Sequence, residues 1–168
     1  QNKTKPFFLY LPFNAPVVPV QMPKAYYDKL GHIKDEKLRA YSAHMLAYDA
    51  VVGGILDHLK EAGIEKNTIV IFASDNGAPT VFGGSNAPLA GGKNTTWDGG
   101  IRTPYAIKWP GHINAGVTYD KPVSTLDVLP TLAAAAHVAL PAGKQTDGVN
   151  LLPYLNGENA GTPHEVLY

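Results

Sequence analysis

Cysteine is absent from the 168-residue chain, which excludes disulfide bonds, thiolate zinc sites and thiol nucleophiles. An excess of charge is also absent, because 14 basic residues balance 14 acidic ones and no block of like charge occurs. The sequence therefore offers no electrostatic case for binding nucleic acid or an anionic membrane. No apolar run reaches the length that a membrane-spanning helix needs.

Apolar residues make up 45% of the chain, which is enough to build the core of one globular domain. Apolar positions three and four residues apart predict two helices, at residues 35–62 and 124–137. Short apolar runs predict strands near 6–13, 68–73 and 103–109. This alternation predicts an α/β fold in which helices sandwich a mainly parallel sheet.

Local signals mark the ends of the two predicted helices. Asp35 is a candidate N-cap of the first helix, and Gly63 is its candidate C-terminal stop. Ser124 or Thr125 is suited to cap the second helix, in which Pro130 predicts a kink or a late start. A short helical piece is also expected near 151–155.

The predicted strand 68–73 ends abruptly in polar residues, with Asp75 followed directly by Asn76. In open α/β sheets, ligands bind outside the carboxyl ends of the strands. A carboxylate beside a carboxamide is a pair of hard oxygen donors, which suits calcium or magnesium. The alternative is an ordinary turn, because asparagine and the following Gly77 both tolerate a positive φ.

A glycine-rich loop fills residues 77–100, and it carries two candidate anion-binding residues. Lys93 follows two glycines, which let the backbone approach a ligand while the ammonium holds an anion. The alternative for Lys93 is a solvated surface lysine. Arg102, just before the predicted strand 103–109, fits substrate binding and a structural ion pair equally well.

Several segments, taken in their order and spacing, resemble the sulfatase family. The resemblance covers residues 6 to about 155 and implies the alkaline-phosphatase-like α/β fold, hydrolysis of sulfate monoesters and one divalent metal, usually calcium. It matches Asp75 and Asn76 to metal ligands of the family, and Lys93 to its catalytic, sulfate-binding lysine. The segments that carry it are "PFFLYLPFNAP", the long helix "AYSAHMLAYDAVVGGILDHLKEAGIEKNT", "IVIFASDNG", "NAPLAGGKNTTWDGGIRTP", "WPGHINAG" and "STLDVLPTLAAAA".

The resemblance also implies parts that are not in this chain. The family's nucleophile is a formylglycine made from the first residue of a C/S-x-P-x-R motif, and no serine here begins such a motif. The paired aspartates that complete the family's metal site precede the matched region. We therefore expect residues 1–155 to be the C-terminal part of a catalytic domain, incomplete at the N-terminal side of its sheet. Residues 156–168 are expected to be a tail or the start of a C-terminal subdomain.

One residue departs from the family pattern. Where the family typically has a histidine after its first strand, this sequence reads "NAPVVPV" and places Val17. Valine can donate neither a proton nor a hydrogen bond. The resemblance therefore implies that one acid or anion-binding group has been lost here.

These observations support three functional hypotheses. In the first, the chain is part of a calcium-dependent sulfatase, with magnesium as the second choice of metal. Its substrate would be a sulfate ester, such as a sulfated carbohydrate or an aryl sulfate, and its partner the remaining half of the catalytic domain. The family implies a periplasmic or secreted location. The second hypothesis is a non-catalytic fragment or pseudoenzyme, and the third is a phosphatase or phosphodiesterase relative, which the GGK and WDGGIR segments disfavour.

Other titratable residues are expected to have structural roles. His44 flanks the apolar stripe of the long helix, and His137 ends the second helix, where the helix dipole favours it. Asp98 and Asp127 fit loop and helix positions of the family. His164 precedes the last strand-like run, and an approach to the site in a complete protein is its alternative role.

Overall fold

The computed structural model describes residues 5–17, 19, 21–143 and 145–167. The chain divides into two compact units: unit 1 comprises residues 1–57 and 76–102, and unit 2 comprises residues 58–75 and 103–168. The helices are α1 (Lys24–Asp28), α2 (Glu36–Glu61), α3 (Asp98–Ile101), α4 (Val128–Ala135) and α5 (Leu152–Leu155), and the strands are β1 (Val70–Ala73) and β2 (Tyr105–Lys108).

Helix α2 confirms the first predicted helix to within one residue at each end. Asp35 caps its start, because Asp35 Oδ1 accepts a hydrogen bond from the Leu38 N–H at 2.8 Å. Its end is set by Gly63, whose φ of 71° lies in the left-handed region that favours glycine. The Gly63 N–H then donates to Lys60 O at 3.0 Å.

Helix α1 was not predicted from the sequence, and it is held mainly by a side chain of α2. The Arg39 guanidinium donates from Nε and Nη2 to Tyr27 O, at 3.1 and 2.9 Å. Its Cζ also lies 3.9 Å from the centroid of the Tyr27 ring, which is a cation–π distance. A helix of five residues carries too little periodicity to be recognised from sequence alone.

The observed strand pair corrects the prediction of a parallel order. Strands β1 and β2 pair antiparallel, with Val70 opposite Lys108 and Ala73 opposite Tyr105. The chain leaves β1 at Ala73 and re-enters the sheet at the residue facing it, so the two strands must run in opposite directions. The alternation of apolar residues predicts that a strand exists but does not encode the direction of its neighbour.

The predicted strand near 6–13 is not a strand in the described part of the chain. Its side chains are exposed, with Phe8 at 79% and Tyr10 at 75% of their full accessible areas. Only at its end does Phe13 pack edge-on against the Tyr48 ring, at 4.8 Å between ring centroids. Aromatic residues favour a pleated surface, but a strand forms only where a neighbouring strand pairs with it.

The C-terminal part of unit 2 follows the prediction closely. A 3-10 turn at Thr125–Asp127 precedes α4, so the helix starts late, as Pro130 indicated. Pro130 is the third residue of α4, where its missing N–H costs no intrahelical hydrogen bond. Helix α5 confirms the short helical piece expected near 151–155.

None of the helices in the described ranges has both the length and the apolarity that a membrane span requires.

Candidate functional site

The two predicted metal ligands follow β1 directly, as expected. The Ser74 N–H donates to Pro104 O at 3.1 Å and so extends the strand pairing by one residue. Asp75, next in the chain, has an exposed side chain and is the last residue of this segment of unit 2. Asn76 is half-buried, begins the second segment of unit 1 and donates from Nδ2 to Gly77 O at 3.1 Å.

The oxygen donors of Asp75 and Asn76 are of the type that a hard divalent cation takes. Calcium needs roughly six to eight oxygens, however, and two side chains supply only part of that number. Across the residues that the structure describes, no group of three or more His, Cys, Asp or Glu side chains is arranged to hold a metal ion. Each residue alone offers an oxygen donor of the right type, and the metal role of Asp75 and Asn76 stays a prediction.

The glycine-rich loop of unit 1 is folded tightly on itself. The Gly77 N–H donates to Gly100 O at 2.9 Å, and the Gly99 N–H donates to Ala90 O at 2.7 Å. A Cβ atom at Gly77 would overlap the carbonyl group of Gly99, so glycine is required where these two backbones meet. This close approach brings residues 76–78 against the loop that carries Lys93.

Asn86 holds this loop together from its centre, and sequence reasoning did not identify it. Its Oδ1 accepts from the Ala78 N–H at 2.7 Å, while its Nδ2 donates to Ala78 O at 2.9 Å and to Gly91 O at 3.2 Å. One carboxamide thus satisfies both backbone groups of Ala78. The signal available in the sequence was that Asn86 opens the family-like segment "NAPLAGGK".

Lys93 lies on the surface of unit 1, and its backbone is anchored although its side chain is exposed. The Lys93 N–H donates to Ala78 O at 3.4 Å. The adjacent Gly92 exchanges hydrogen bonds with Thr95, whose Oγ1 accepts from Gly92 N at 3.1 Å and donates to Gly92 O at 2.8 Å. Within the described ranges, no carboxylate forms an ion pair with Lys93. An anchored backbone with an uncommitted ammonium is compatible with anion binding.

Arg102 forms a structural ion pair, which was one of the two roles that its sequence position suggested. Its Nη1 lies 3.2 Å from Asp98 Oδ2, one helical turn earlier, and both side chains are largely exposed. An exposed pair of this kind contributes about 0–1 kcal/mol. Substrate binding by Arg102 therefore stays a prediction.

Asp127 lies at the centre of a buried polar cluster in unit 2. Its Oδ2 accepts from the Ser124 N–H at 2.7 Å, and its Oδ1 accepts from the Val149 N–H at 2.8 Å. His164 Nε2 lies 2.8 Å and 3.0 Å from the two carboxylate oxygens. Burial, and secondarily the Asp127 carboxylate, raise the pKa of the Tyr105 phenol. These contacts agree with the structural role expected of Asp127.

The Asp127 cluster also accounts for His164 and for the predicted helix cap. Ser124 and Asp127 form a capping box, the reciprocal arrangement that the sequence "STLD" encodes before an apolar run. The capping pattern was available in the sequence, but the pairing of His164 with Asp127 was not. Among the described residues, the contacts of His164 are with unit 2 of the fold.

The structure also places three further residues discussed in the sequence analysis, which are Val17, His44 and His137. The Val17 N–H donates to Asn14 O at 2.8 Å in a turn, and its side chain is 52% exposed. His44 on α2 has a buried Nδ1 with no hydrogen-bond partner in the described residues, so it is packed as predicted. His137 is exposed and takes a φ of 54° just after α4.

Comparison with known proteins gives a consistent result over almost the whole chain. The family model described as Sulfatase matches residues 1–138. The chain is 38% identical over 167 residues to the uncharacterized sulfatase YdeN of Escherichia coli (strain K12). It is 33% identical over 176 aligned positions to the steryl-sulfatase of Mus musculus. These alignments cover 97% and 100% of this chain, but 29% and 27% of the two relatives.

A solved structure shows the same folding of this region. The crystal structure of Ps i-CgsB in complex with k-i-k-neocarrahexaose superposes with a TM-score of 0.91 at 37% sequence identity. The superposition covers 97% of this chain and 36% of the solved chain. The chain therefore spans about a third or less of the length of the proteins that it matches.

Proposed function

The chain belongs to the sulfatase family, and we propose that it forms the metal- and sulfate-binding portion of a sulfuric ester hydrolase. The observation that carries this proposal is the anchoring of the Lys93 backbone on Ala78, two residues after Asn76. Unit 1 thereby joins the segment of one proposed metal ligand to the loop of the proposed sulfate-binding lysine. We also propose that the α/β sheet of the complete domain is mainly parallel, although the two strands of this chain pair antiparallel.

Each residue has a distinct part in this proposal. Asp75 and Asn76 offer oxygen donors to a divalent cation, for which calcium is the first choice and magnesium the second. When bound, the cation supplies positive charge to the sulfate oxygens. Lys93 adds a compact ammonium that attracts the sulfate group and stabilises the charge that develops during cleavage.

The nucleophile comes from outside this chain in our proposal. No serine of the chain begins a C/S-x-P-x-R motif and cysteine is absent, so the formylglycine expected of the family would lie upstream. The partner of this chain is accordingly the remaining half of the catalytic domain. We place the complete protein in the periplasm or outside the cell, as the family resemblance implies.

A sulfated carbohydrate is the substrate class that we favour. The support is the structure of Ps i-CgsB, which was solved with the oligosaccharide k-i-k-neocarrahexaose and resembles this chain over 97% of its length. The steryl-sulfatase relative supports a second substrate class, that of sulfate esters on an apolar ring system. An aryl sulfate serves as a generic probe for either class.

A non-catalytic role remains the second candidate, and Val17 is the observation that favours it. In place of the histidine typical of the family, valine offers no proton and no hydrogen bond. Loss of one general acid typically lowers a rate about 10²–10⁴-fold. In the structure Val17 closes an exposed turn with Asn14, which gives it a local role without chemistry.

The complete protein tests the proposal directly. We expect mass spectrometry to find a formylglycine upstream of this chain, and the complete protein to hydrolyse an aryl sulfate in the presence of calcium. We expect the isolated chain of 168 residues to be inactive in the same assay, because it has no nucleophile. Metal-dependent turnover by the isolated chain would overturn this mechanism. A complete protein with no formylglycine and no activity would favour the non-catalytic role.

Calcium affinity tests the partial metal site. We expect calorimetric titration of the isolated chain to show weak calcium binding, because two side chains supply only part of the roughly six to eight oxygens required. The complete protein is expected to bind calcium much more tightly and to lose that affinity in Asp75→Asn. Asp120→Asn, an exposed aspartate elsewhere in unit 2, is the matched control. Tight binding by the isolated chain would show that the site is already complete.

A further inference from the structure

Asn86 makes an unusually complete set of backbone contacts for a loop side chain. Its carboxamide pairs with both the N–H and the carbonyl group of Ala78, at 2.7 and 2.9 Å. Its Nδ2 also donates to Gly91 O at 3.2 Å. Because an amide has one acceptor and one two-proton donor group, it can bridge two backbone segments in a way that no apolar or acidic side chain can.

The two segments that Asn86 bridges both belong to the proposed site. Ala78 lies two residues after Asn76, and Gly91 lies two residues before Lys93. The bridge is closed on its other side by the Lys93 N–H, which donates to the same Ala78 carbonyl at 3.4 Å. Asn86 therefore joins the backbone of Ala78 to that of Gly91, beside the direct hydrogen bond from Lys93 to Ala78.

We propose that Asn86 is a positioning residue for sulfate hydrolysis, acting through Lys93. This inference rests on the proposed function, because it assumes that the Lys93 ammonium binds the sulfate. Asn86 does not touch the substrate in this account. It holds the Gly91–Lys93 backbone against Ala78, so that the long lysine side chain starts from a fixed point when it reaches the sulfate.

The physical reason lies in how steeply electrostatic stabilisation depends on position. Without the Asn86 side chain, the Ala78 N–H and the Gly91 carbonyl lose the partners described above, and among the described residues only the weaker Lys93–Ala78 hydrogen bond still joins Ala78 to residues 91–93. A displacement of about 1 Å at a catalytic group can cost about 10²-fold in rate. We expect a loss of about 10- to 100-fold in kcat/KM for Asn86→Ala in the complete enzyme.

A double-mutant cycle separates positioning from a general structural role. Turnover of an aryl sulfate is measured for the complete enzyme, Asn86→Ala, Lys93→Ala and the double variant. If Asn86 acts through Lys93, its replacement in the Lys93→Ala background costs only about 2-fold or less, since the group it positions is gone. Equal losses in both backgrounds would overturn the inference, as would normal activity of Asn86→Ala beside an impaired Lys93→Ala.

Hydrogen exchange gives a readout that does not depend on catalysis. We expect the amides of residues 91–95 to exchange faster in Asn86→Ala, and the exposed Thr96→Ala in the same loop to leave both exchange and activity unchanged. Unchanged exchange in Asn86→Ala would overturn the inference even if the enzyme is a sulfatase. If Lys93→Ala retains full turnover, the proposed role of Lys93 fails, and the positioning role fails with it.

A second substitution keeps the test available if Asn86→Ala does not fold. Asn86→Asp has the same shape and keeps the acceptor for the Ala78 N–H, but it turns a second oxygen toward the carbonyl groups of Ala78 and Gly91. We expect it to accelerate exchange of residues 91–95 at least as much as the alanine variant. Exchange rates equal to those of the unmodified enzyme would contradict the inference.

Discussion

We expect Lys93→Ala in the complete protein to lower the turnover of a sulfate ester about 10²–10³-fold, which is the range measured when one preorganised electrostatic contact is removed from an active site. The structure supports this expectation in two ways. The Lys93 backbone is anchored on Ala78, and no carboxylate of the described residues neutralises its ammonium. Its side chain is therefore available to an anion.

The measurement is the steady-state rate on an aryl sulfate with calcium present. Lys121→Ala, which removes an exposed lysine in unit 2, is the matched control and should retain full turnover. Lys93→Arg should recover part of the loss, because it restores the charge but places it on a larger, planar group. Undiminished turnover of Lys93→Ala would show that Lys93 is the solvated surface lysine of the alternative interpretation.

Asp127→Ala is expected to lower the free energy of unfolding by about 3–5 kcal/mol, because it removes the acceptor shared by several donors of a buried, hydrogen-bonded cluster. The substitution leaves the Ser124 and Val149 N–H groups without the acceptor they use, and removes the partner of His164 Nε2. An unsatisfied buried donor alone costs about 1–3 kcal/mol. The effect is on stability, because the cluster holds unit 2 together rather than contacting the proposed site residues.

Chemical denaturation of the complete protein checks this prediction through the shift in its midpoint. Asp120→Ala serves as the control, because Asp120 is exposed in the same unit and should change stability by less than about 0.5 kcal/mol. Asp127→Asn keeps the shape and one carbonyl acceptor, so its loss should be smaller than that of the alanine variant. A loss below about 1 kcal/mol for Asp127→Ala would contradict the structural role that we assign to the cluster.

The sequence correctly predicted the elements whose position and ends depend on residues close together in the chain. Helix α2 is long, strongly periodic and bounded by a capping aspartate and a left-handed glycine, so both of its ends were predictable. Strands β1 and β2 were located because each lies in a short apolar run. Their antiparallel pairing was not predicted, because strand direction depends on where the chain re-enters the sheet.

The residues of the candidate site also fall into those that the local sequence predicts and those that depend on folding. Asp75, Asn76 and Lys93 stand out in the sequence because polar or charged groups follow a strand end or lie among glycines. Asn86 and the pairing of His164 with Asp127 depend on segments that meet only after folding, across 8 residues in one case and 37 in the other. No spacing rule along the chain encodes such contacts.

The exposed segment Phe7–Leu11 has a consequence for the handling of this region in cells and in the laboratory. Five consecutive aromatic and aliphatic residues with no charge are the composition from which intermolecular β-structure forms. Since no strand of the described residues pairs with it, this segment can pair with the same segment of another copy. We therefore expect chains that expose this segment to aggregate more readily. A charged residue introduced into this segment should lower that tendency.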